Sequence, residues 1–255
     1  MGIQIENMFP RGLRQPQKGF RFSVDALLLS TFISPGANSK IADIGCGCGV
    51  VGLGILLNNP GKNLEITGID HSYEMIDLAG QNALLLSLGQ NYFPLKMDVV
   101  SINSKNFSDE SFDLVVSNPP YRNPVSGRIP ENHSKHTACF STGNILEDFI
   151  RACFFLLKNK GKAAFVFDSG RLDVFISMLK SFSLEPKKIL PVYGKAQKSS
   201  KIFLLEARKN AKPGLELMAP LILHDDENKL TQQAVKFCPF LCSTSLTASA
   251  EDLKS

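Results

Sequence analysis

The sequence predicts an α/β fold: a mostly parallel sheet with one antiparallel strand and helices on both faces. Three observations lead there. Strand-length apolar runs alternate with helix-length amphipathic segments from Lys40 to Ala207. The first run opens into a glycine-rich loop, Gly45-Cys46-Gly47-Cys48-Gly49. Only the loop 193–200 separates the last two runs, which makes them a hairpin and one of them antiparallel.

The elements follow in order. Lys40–Ile44 is a short apolar strand, and Val50–Leu57 a helix closed by Asn58-Asn59-Pro60-Gly61. Leu64–Asp70 is the second strand. Tyr73–Leu88 is an amphipathic helix with Gly89 as its stop. Tyr92–Val99 and Phe112–Ser117 are the third and fourth strands, the latter running into Asn118-Pro119-Pro120-Tyr121. Helical spacing resumes over Ile145–Leu157, then a strand over Lys162–Phe167 and a helix over Arg171–Phe182. Lys188–Val192 and Ile202–Ala207 are the final pair.

Composition excludes several classes. With 44% hydrophobic and 20% charged residues the chain is globular, not disordered or fibrous. No stretch approaches the ~18 apolar residues of a membrane span. Residues 1–17 lack the apolar core of a secretory signal, so a cytoplasmic protein without membrane association is expected. The cysteines at 46, 48, 139, 153, 238 and 242 lack metal-site spacing, so free thiols and no metal are expected. Charge is uneven: residues 41–121 hold three Lys/Arg against nine Asp/Glu, whereas 122–215 hold seventeen against seven. A basic second half suits a polyanion such as RNA.

The glycine loop carries the first chemistry. Its pattern, Asp43-x-Gly45-x-Gly47-x-Gly49, is not the Gly-x-Gly-x-x-Gly of pyrophosphate loops. A carboxylate at the strand end repels phosphate and accepts a hydrogen bond from an ammonium group. The implied ligand is a nucleoside with a cationic amino-acid tail. Asp70, ending the second strand, suits two ribose hydroxyls. Asp98, ending the third, suits an adenine amino group. These residues resemble the class I S-adenosyl-L-methionine-dependent methyltransferases over roughly residues 38–210. The resemblance implies a Rossmann-like seven-stranded sheet and that cofactor. It assigns Asp43, Gly45, Gly47 and Gly49 to the methionine end, Asp70 to the ribose and Asp98 to the adenine.

The second motif is Asn118-Pro119-Pro120-Tyr121. Two prolines fix the backbone and remove two donors, leaving carbonyls that only accept. The Asn118 side-chain oxygen and the Pro119 carbonyl can take both hydrogens of a planar amine and aim its lone pair at an electrophile. Tyr121 offers a stacking face, worth about 1–3 kcal/mol per base. The motif resembles methyltransferases of planar amino groups. Gly19 to Leu29, Leu146 to Arg151, Glu206 to Lys209 and the stretch from Pro213 to His224 are similar to the bacterial valine-tRNA adenine-N6 methyltransferases. That resemblance spans nearly residues 10–240. It implies methylation of an anticodon-loop adenine in tRNA and makes Phe22, Ser23 and Asp25 cofactor contacts.

Residues 1–242 are then one methyltransferase domain with an N-terminal extension over 1–38, and 243–255 a disordered tail. Between positions 187 and 212, Lys187, Lys188, Lys195, Lys198, Lys201, Arg208, Lys209 and Lys212 meet one acid, Glu206. All but the last are expected to bind RNA phosphates. The loop holding Arg122, Arg128, His133, Lys135 and His136 is a candidate lid over the target base. Other acceptors remain open: a protein glutamine amide, guanine N2 of ribosomal RNA, or none in a catalytically silent RNA-binding scaffold.

Overall fold

The computed structural model describes residues 9–16, 22–119 and 145–243. Helix α1 (Val24–Phe32) precedes β1 (Lys40–Ile44), α2 (Val50–Asn58), β2 (Glu65–Asp70), α3 (Tyr73–Leu85), β3 (Tyr92–Lys96) and β4 (Phe112–Ser117). Then come α4 (Ile145–Leu156), β5 (Leu157–Asp168), α5 (Leu172–Ser181), β6 (Leu184–Tyr193) and β7 (Ile202–Lys209). Two-residue strands β8 (Glu216–Leu217) and β9 (Leu221–Ile222) and helix α6 (Gln232–Phe237) follow. The order β3-β2-β1-β4-β5-β7-β6 makes one sheet, parallel except for β7, which runs antiparallel to both β5 and β6. Both β8 and β9 add beside β6, so the described sheet has nine strands where seven were expected.

Side-chain alternation divides the core between the two sheet faces. Ile41, Leu114, Val116, Ala164 and Val166 pack under α1, α2 and α3. Ala42, Ile44, Val115, Phe165 and Phe167 pack under α4 and α5. Helix α1 is buried from Ala26 to Ser30, which makes it a core helix. Its partner is α2, where Gly54 leaves room for Ser30: a Cβ there would lie 2.6 Å from the Ser30 hydroxyl. Lys62, just past α2, donates to Ser34 Oγ and the Pro35 carbonyl just past α1. Both helices therefore finish at the sheet's amino edge and begin together at its carboxyl edge.

Two terminations differ from the sequence reading. Helix α3 stops before Gly89: Ser87 takes the left-handed conformation at φ 59°, and Leu88 N–H bonds the Ala83 carbonyl while Ser87 N–H bonds that of Leu84. That is a Schellman turn closed by serine. Strand β3 ends at Lys96, so Asp98 lies beyond it. Its carboxylate takes the Val100 N–H at 3.0 Å and caps a 3₁₀ turn over Val99–Ser101. A short acidic side chain that bonds the following amides competes with strand extension. Among the described residues no helix is long and apolar enough to cross a membrane.

Candidate active site

The chain leaves β1 towards β2 and β3 on one side, while β4 and β5 lie on the other. The carboxyl ends of β1 and β4 thus flank a topological switch point, where open α/β sheets bind ligands. The glycine loop occupies one side. Gly45, Gly47 and Gly49 have φ of 71°, 54° and 90°. The loop hangs from β2 through Gly45 and Cys46 N–H bonds to the Ile69 carbonyl at 2.7 and 3.0 Å. Among the described residues, nothing beyond its chain neighbours lies within 4 Å of a Cβ built on Gly47, so the loop is open there. A Cβ on Gly45 would meet Phe149 of α4 at 3.0 Å.

Asp43 lies beneath the loop, 1% exposed. Its Oδ2 takes the Gly52 N–H at 3.0 Å, and its Oδ1 is buried with no hydrogen-bond partner. Burial pushes the carboxyl up to about 7; the Gly52 amide opposes that shift and nearby Asp70 adds to it. Asp70 accepts from Gly47 N–H at 3.0 Å and Ser72 N–H at 2.9 Å, with His71 Nδ1 at 3.4 Å from its Oδ1. It locks the loop to β2 while each oxygen keeps lone-pair capacity.

Across the crevice, the Ser117 hydroxyl donates to the Ile44 carbonyl at 2.8 Å. The β1–β4 register pairs Ile44 with Ser117, so the next step sets Asn118 beside Gly45. Among the described residues Asn118 Oδ1 is buried without a partner, and Pro119 is buried next to it. Ser23, the residue before α1, also has a buried, unpartnered hydroxyl. Phe22 packs at the rim of the core and Asp25 lies in the first turn of α1. Pro120, Tyr121 and the 122–143 loop lie outside the described residues, as does the tail from 244.

Among the described residues, five buried side-chain polar atoms lack partners: Ser23 Oγ, Asp43 Oδ1, Tyr92 OH, Asn118 Oδ1 and Arg208 Nε. Three, Ser23 Oγ, Asp43 Oδ1 and Asn118 Oδ1, belong to the carboxyl-edge crevice, while the Tyr92 hydroxyl is buried beneath the loop against Cys46. Native interiors leave few such groups, and each signals a missing partner or a functional strain. Two oxygen acceptors and a hydroxyl around an open glycine loop fit a ligand bearing an ammonium group and other donors. A nucleoside with a cationic amino-acid tail meets that description.

The sequence reading missed three supports. Tyr92 fills the space under the loop, where a Cβ on Gly68 would lie 2.2 Å from its hydroxyl and one on Gly52 would lie 2.5 Å from its ring. The usable signal was a glycine inside a strand and another inside a helix. Ser117 and Gly52 carry no motif of their own; they matter through the groups they bond, the Ile44 carbonyl and the Asp43 carboxylate.

The basic run does not form one cluster. Lys209 is 4% exposed and donates to the Phe154 and Leu157 carbonyls at 2.8 Å each, with Glu110 at 3.2 Å. Its ammonium is consumed inside the protein, which removes it from the RNA-binding set. Lys187, Lys188 and Arg208 lie towards the amino edge, whereas Lys195, Lys198 and Lys201 lie on the β6–β7 hairpin at the carboxyl edge.

Comparison with known proteins gives a consistent result. The model of the methyltransferase small domain matches residues 23–183, more than half of the chain. A Flavobacteriaceae protein (strain 3519-10) named tRNA1(Val) (adenine(37)-N6)-methyltransferase is 28% identical over 205 residues, covering 78% of this chain and 81% of its own. A release factor glutamine methyltransferase of Buchnera aphidicola is 38% identical over only 87 residues, 33% of this chain and 28% of its own. In structure, the chain is similar to a predicted O-methyltransferase from Agrobacterium tumefaciens, with a TM-score of 0.69 at 20% identity. That match covers 85% of this chain and 96% of the other.

Proposed function

The chain belongs to the methyltransferase small-domain family, and on that premise we propose that it methylates the exocyclic N6 of an adenine in a tRNA anticodon loop, of the valine-tRNA type. It is an S-adenosyl-L-methionine-dependent methyltransferase. The observation that carries the finer reading is Asn118 Oδ1, a buried acceptor without a partner beside the glycine loop. The name of the Flavobacteriaceae relative supports the choice of adenine. Residues 1–242 act as one catalytic domain: β6, β7 and α6 continue the same sheet and core beyond the matched segment.

When bound, S-adenosyl-L-methionine supplies an electrophilic methyl carbon on its sulfonium. Asp43 Oδ1 accepts from the amino-acid ammonium, at the loop framed by Gly45, Gly47 and Gly49. Asp70 accepts from the ribose hydroxyls with the lone pairs its two amide bonds leave over. Asp98, whose Oδ1 holds the Val100 amide, offers its other oxygen to the adenine amino group. Phe22, Ser23 and Asp25 close the crevice from the start of α1. Asn118 Oδ1 and the Pro119 carbonyl hold the two hydrogens of the target amine, leaving its lone pair to attack. By residue type, Pro120 would fix that backbone and Tyr121 would stack the base, which must unstack from its loop to arrive. The amine keeps both its hydrogens through the transfer, and the methylated cation then releases one of them to water, so no strong base is needed.

Incubation with labelled S-adenosyl-L-methionine and unmodified tRNA, ribosomal RNA or release factor, followed by digestion, tests the reading. N6-methyladenosine from tRNA is expected. Label in glutamine would favour the acceptor named for the Buchnera relative, and label in guanosine would place the acceptor in another base.

A further inference from the structure

The seven basic residues expected to bind RNA separate into three environments, and only one suits a phosphate chain. Lys209 is buried, as above. At the amino edge, cations alternate with acids across neighbouring strands. Arg208 pairs in register with Lys162 on β5 and Glu185 on β6, and Glu206 with Lys188 on β6. Lys162 lies 3.7 Å from Glu206 and Lys188 3.9 Å from Glu216. Lys187 donates to the Lys212 carbonyl. Three acids thus interleave with the cations, and the potential of this patch is largely cancelled within itself.

The carboxyl edge differs. The loop Gly194-Lys195-Ala196-Gln197-Lys198-Ser199-Ser200 and the following Lys201 contain no acid. Among the described residues, Lys198 and Lys201 are exposed and have no acidic partner. This hairpin is tied to the turn after β5: Ser169 N–H donates to the Lys201 carbonyl at 2.9 Å, and the Ser169 and Ser200 hydroxyls lie 2.8 Å apart. That turn presents Arg171, whose guanidinium lies 5.6 Å over the Phe167 ring. Lys195 donates to the Asp226 carbonyl on the next loop out. Of the acids there, Asp225 accepts the Glu227 and Lys229 amides and Glu227 pairs with Lys229, while the Asp226 carboxylate is exposed beside Lys195. Asp168 is the one acid of the β5 turn itself, and its carboxylate takes the Gly170 amide.

We propose that Arg171, Lys195, Lys198 and Lys201 form a rim that holds the RNA backbone while a base enters the crevice between β1 and β4. This rests on the RNA reading of the acceptor and adds a surface and a residue, Arg171, to it. Strands lie about 4.8 Å apart. The β5 turn is therefore one strand from the Asn118 edge, and the hairpin two to three strands away, roughly 10–14 Å. A bound strand would cross the carboxyl edge with its phosphates over successive cations. The amino-edge Lys187, Lys188 and Arg208 face away from the crevice and take no part.

Binding of an unmodified tRNA transcript, read by fluorescence anisotropy at several salt concentrations, tests the rim apart from the chemistry. Each phosphate contact contributes about 0.7–0.9 to the slope of log affinity against log salt. Lys198→Gln with Lys201→Gln should lower that slope by about 1.4–1.8, and Arg171→Gln by about one further contact, with thermal stability unchanged. Lys187→Gln with Lys188→Gln should leave it unaltered. An unaltered slope in the rim variants, or loss in the amino-edge pair instead, overturns the rim while leaving adenine methylation standing. If the rim variants lose binding as expected but the wild type methylates no tRNA, the acceptor reading fails and the rim stands. A wild type that does not bind tRNA overturns both.

Discussion

At the scale of single residues, Asp43 and Asn118 divide the work between cofactor and acceptor, and substitutions should separate them. Asn118→Ala removes an acceptor that matters only for the amine. Turnover should fall by at least about 10²-fold, on the scale of one lost oxyanion-hole donor, with S-adenosyl-L-methionine affinity kept within a few fold. Equilibrium binding beside single-turnover transfer reads the two separately; a collapse of binding would reassign the asparagine to the cofactor. Asp43 has the opposite profile. Its carboxyl titrates at about 7 in the empty protein, raised chiefly by burial. A cation can be paired only by the ionised form, so affinity should drop about fourfold between pH 8 and pH 6, the α-amino group of the ligand gaining its own proton over the same range. The sign for stability is reversed. A folded-state value above the unfolded one contributes stability that is complete below about 4 and is lost as pH rises through about 7. Asp43→Asn keeps an oxygen for the Gly52 amide and should raise the melting temperature of the empty protein at pH 8 by several degrees, while abolishing cofactor binding. Both aspects of Asp43 can be traced to sequence: an acid at the end of a buried strand has to be either paired by a ligand or partly protonated.

At the scale of elements, what was legible followed from local rules, and what was missed depended on contacts between distant segments. Strands β1, β2 and β4 and helices α2 and α4 were readable because periodicity and the bounding turns agree on them. Strand β5 proved longer than its apolar stretch, since Leu157 pairs with Phe112 and an irregularity separates that pair from Lys162 opposite Leu114. Asp98 was misplaced because a strand-length run cannot reveal that its own carboxylate will cap the next turn. Lys209 was misjudged for the same kind of reason: its neighbours in sequence are basic, but its partners are the carbonyls closing α4, some fifty positions earlier. The ammonium also lies 4.2 Å over the Phe154 ring. Lys209→Met would leave two carbonyls short of a donor and should cost about 2–4 kcal/mol of stability. Denaturant unfolding measures this, and the same variant should bind RNA with an unaltered salt slope. A stability cost near zero would return Lys209 to the surface set.

At the scale of the whole molecule, the strand order turns four separated stretches of chain into one site. Residues 43–49, 70–73 and 117–119 meet at the carboxyl edge because β1 has β2 on one side and β4 on the other, and α1 adds 22–25 from above α2. The amino edge, by contrast, is closed by self-compensating charge. A ligand that binds only the folded form stabilises it by about 2.7 kcal/mol at a concentration 100 times its Kd. That energy enters through contacts confined to one edge. Hydrogen exchange with and without S-adenosyl-homocysteine should therefore gain protection at 45–49, 70–73, 98–101 and the start of α1, with little change across 158–162 or 184–188. The expected thermal shift is several degrees for the wild type and for Asn118→Ala, and none for Asp43→Asn. Protection spread evenly over both edges would mean that the cofactor tightens the entire sheet. Protection absent from 45–49 would remove the glycine loop from the site, and with it the geometric case for placing Asn118 next to the reacting carbon.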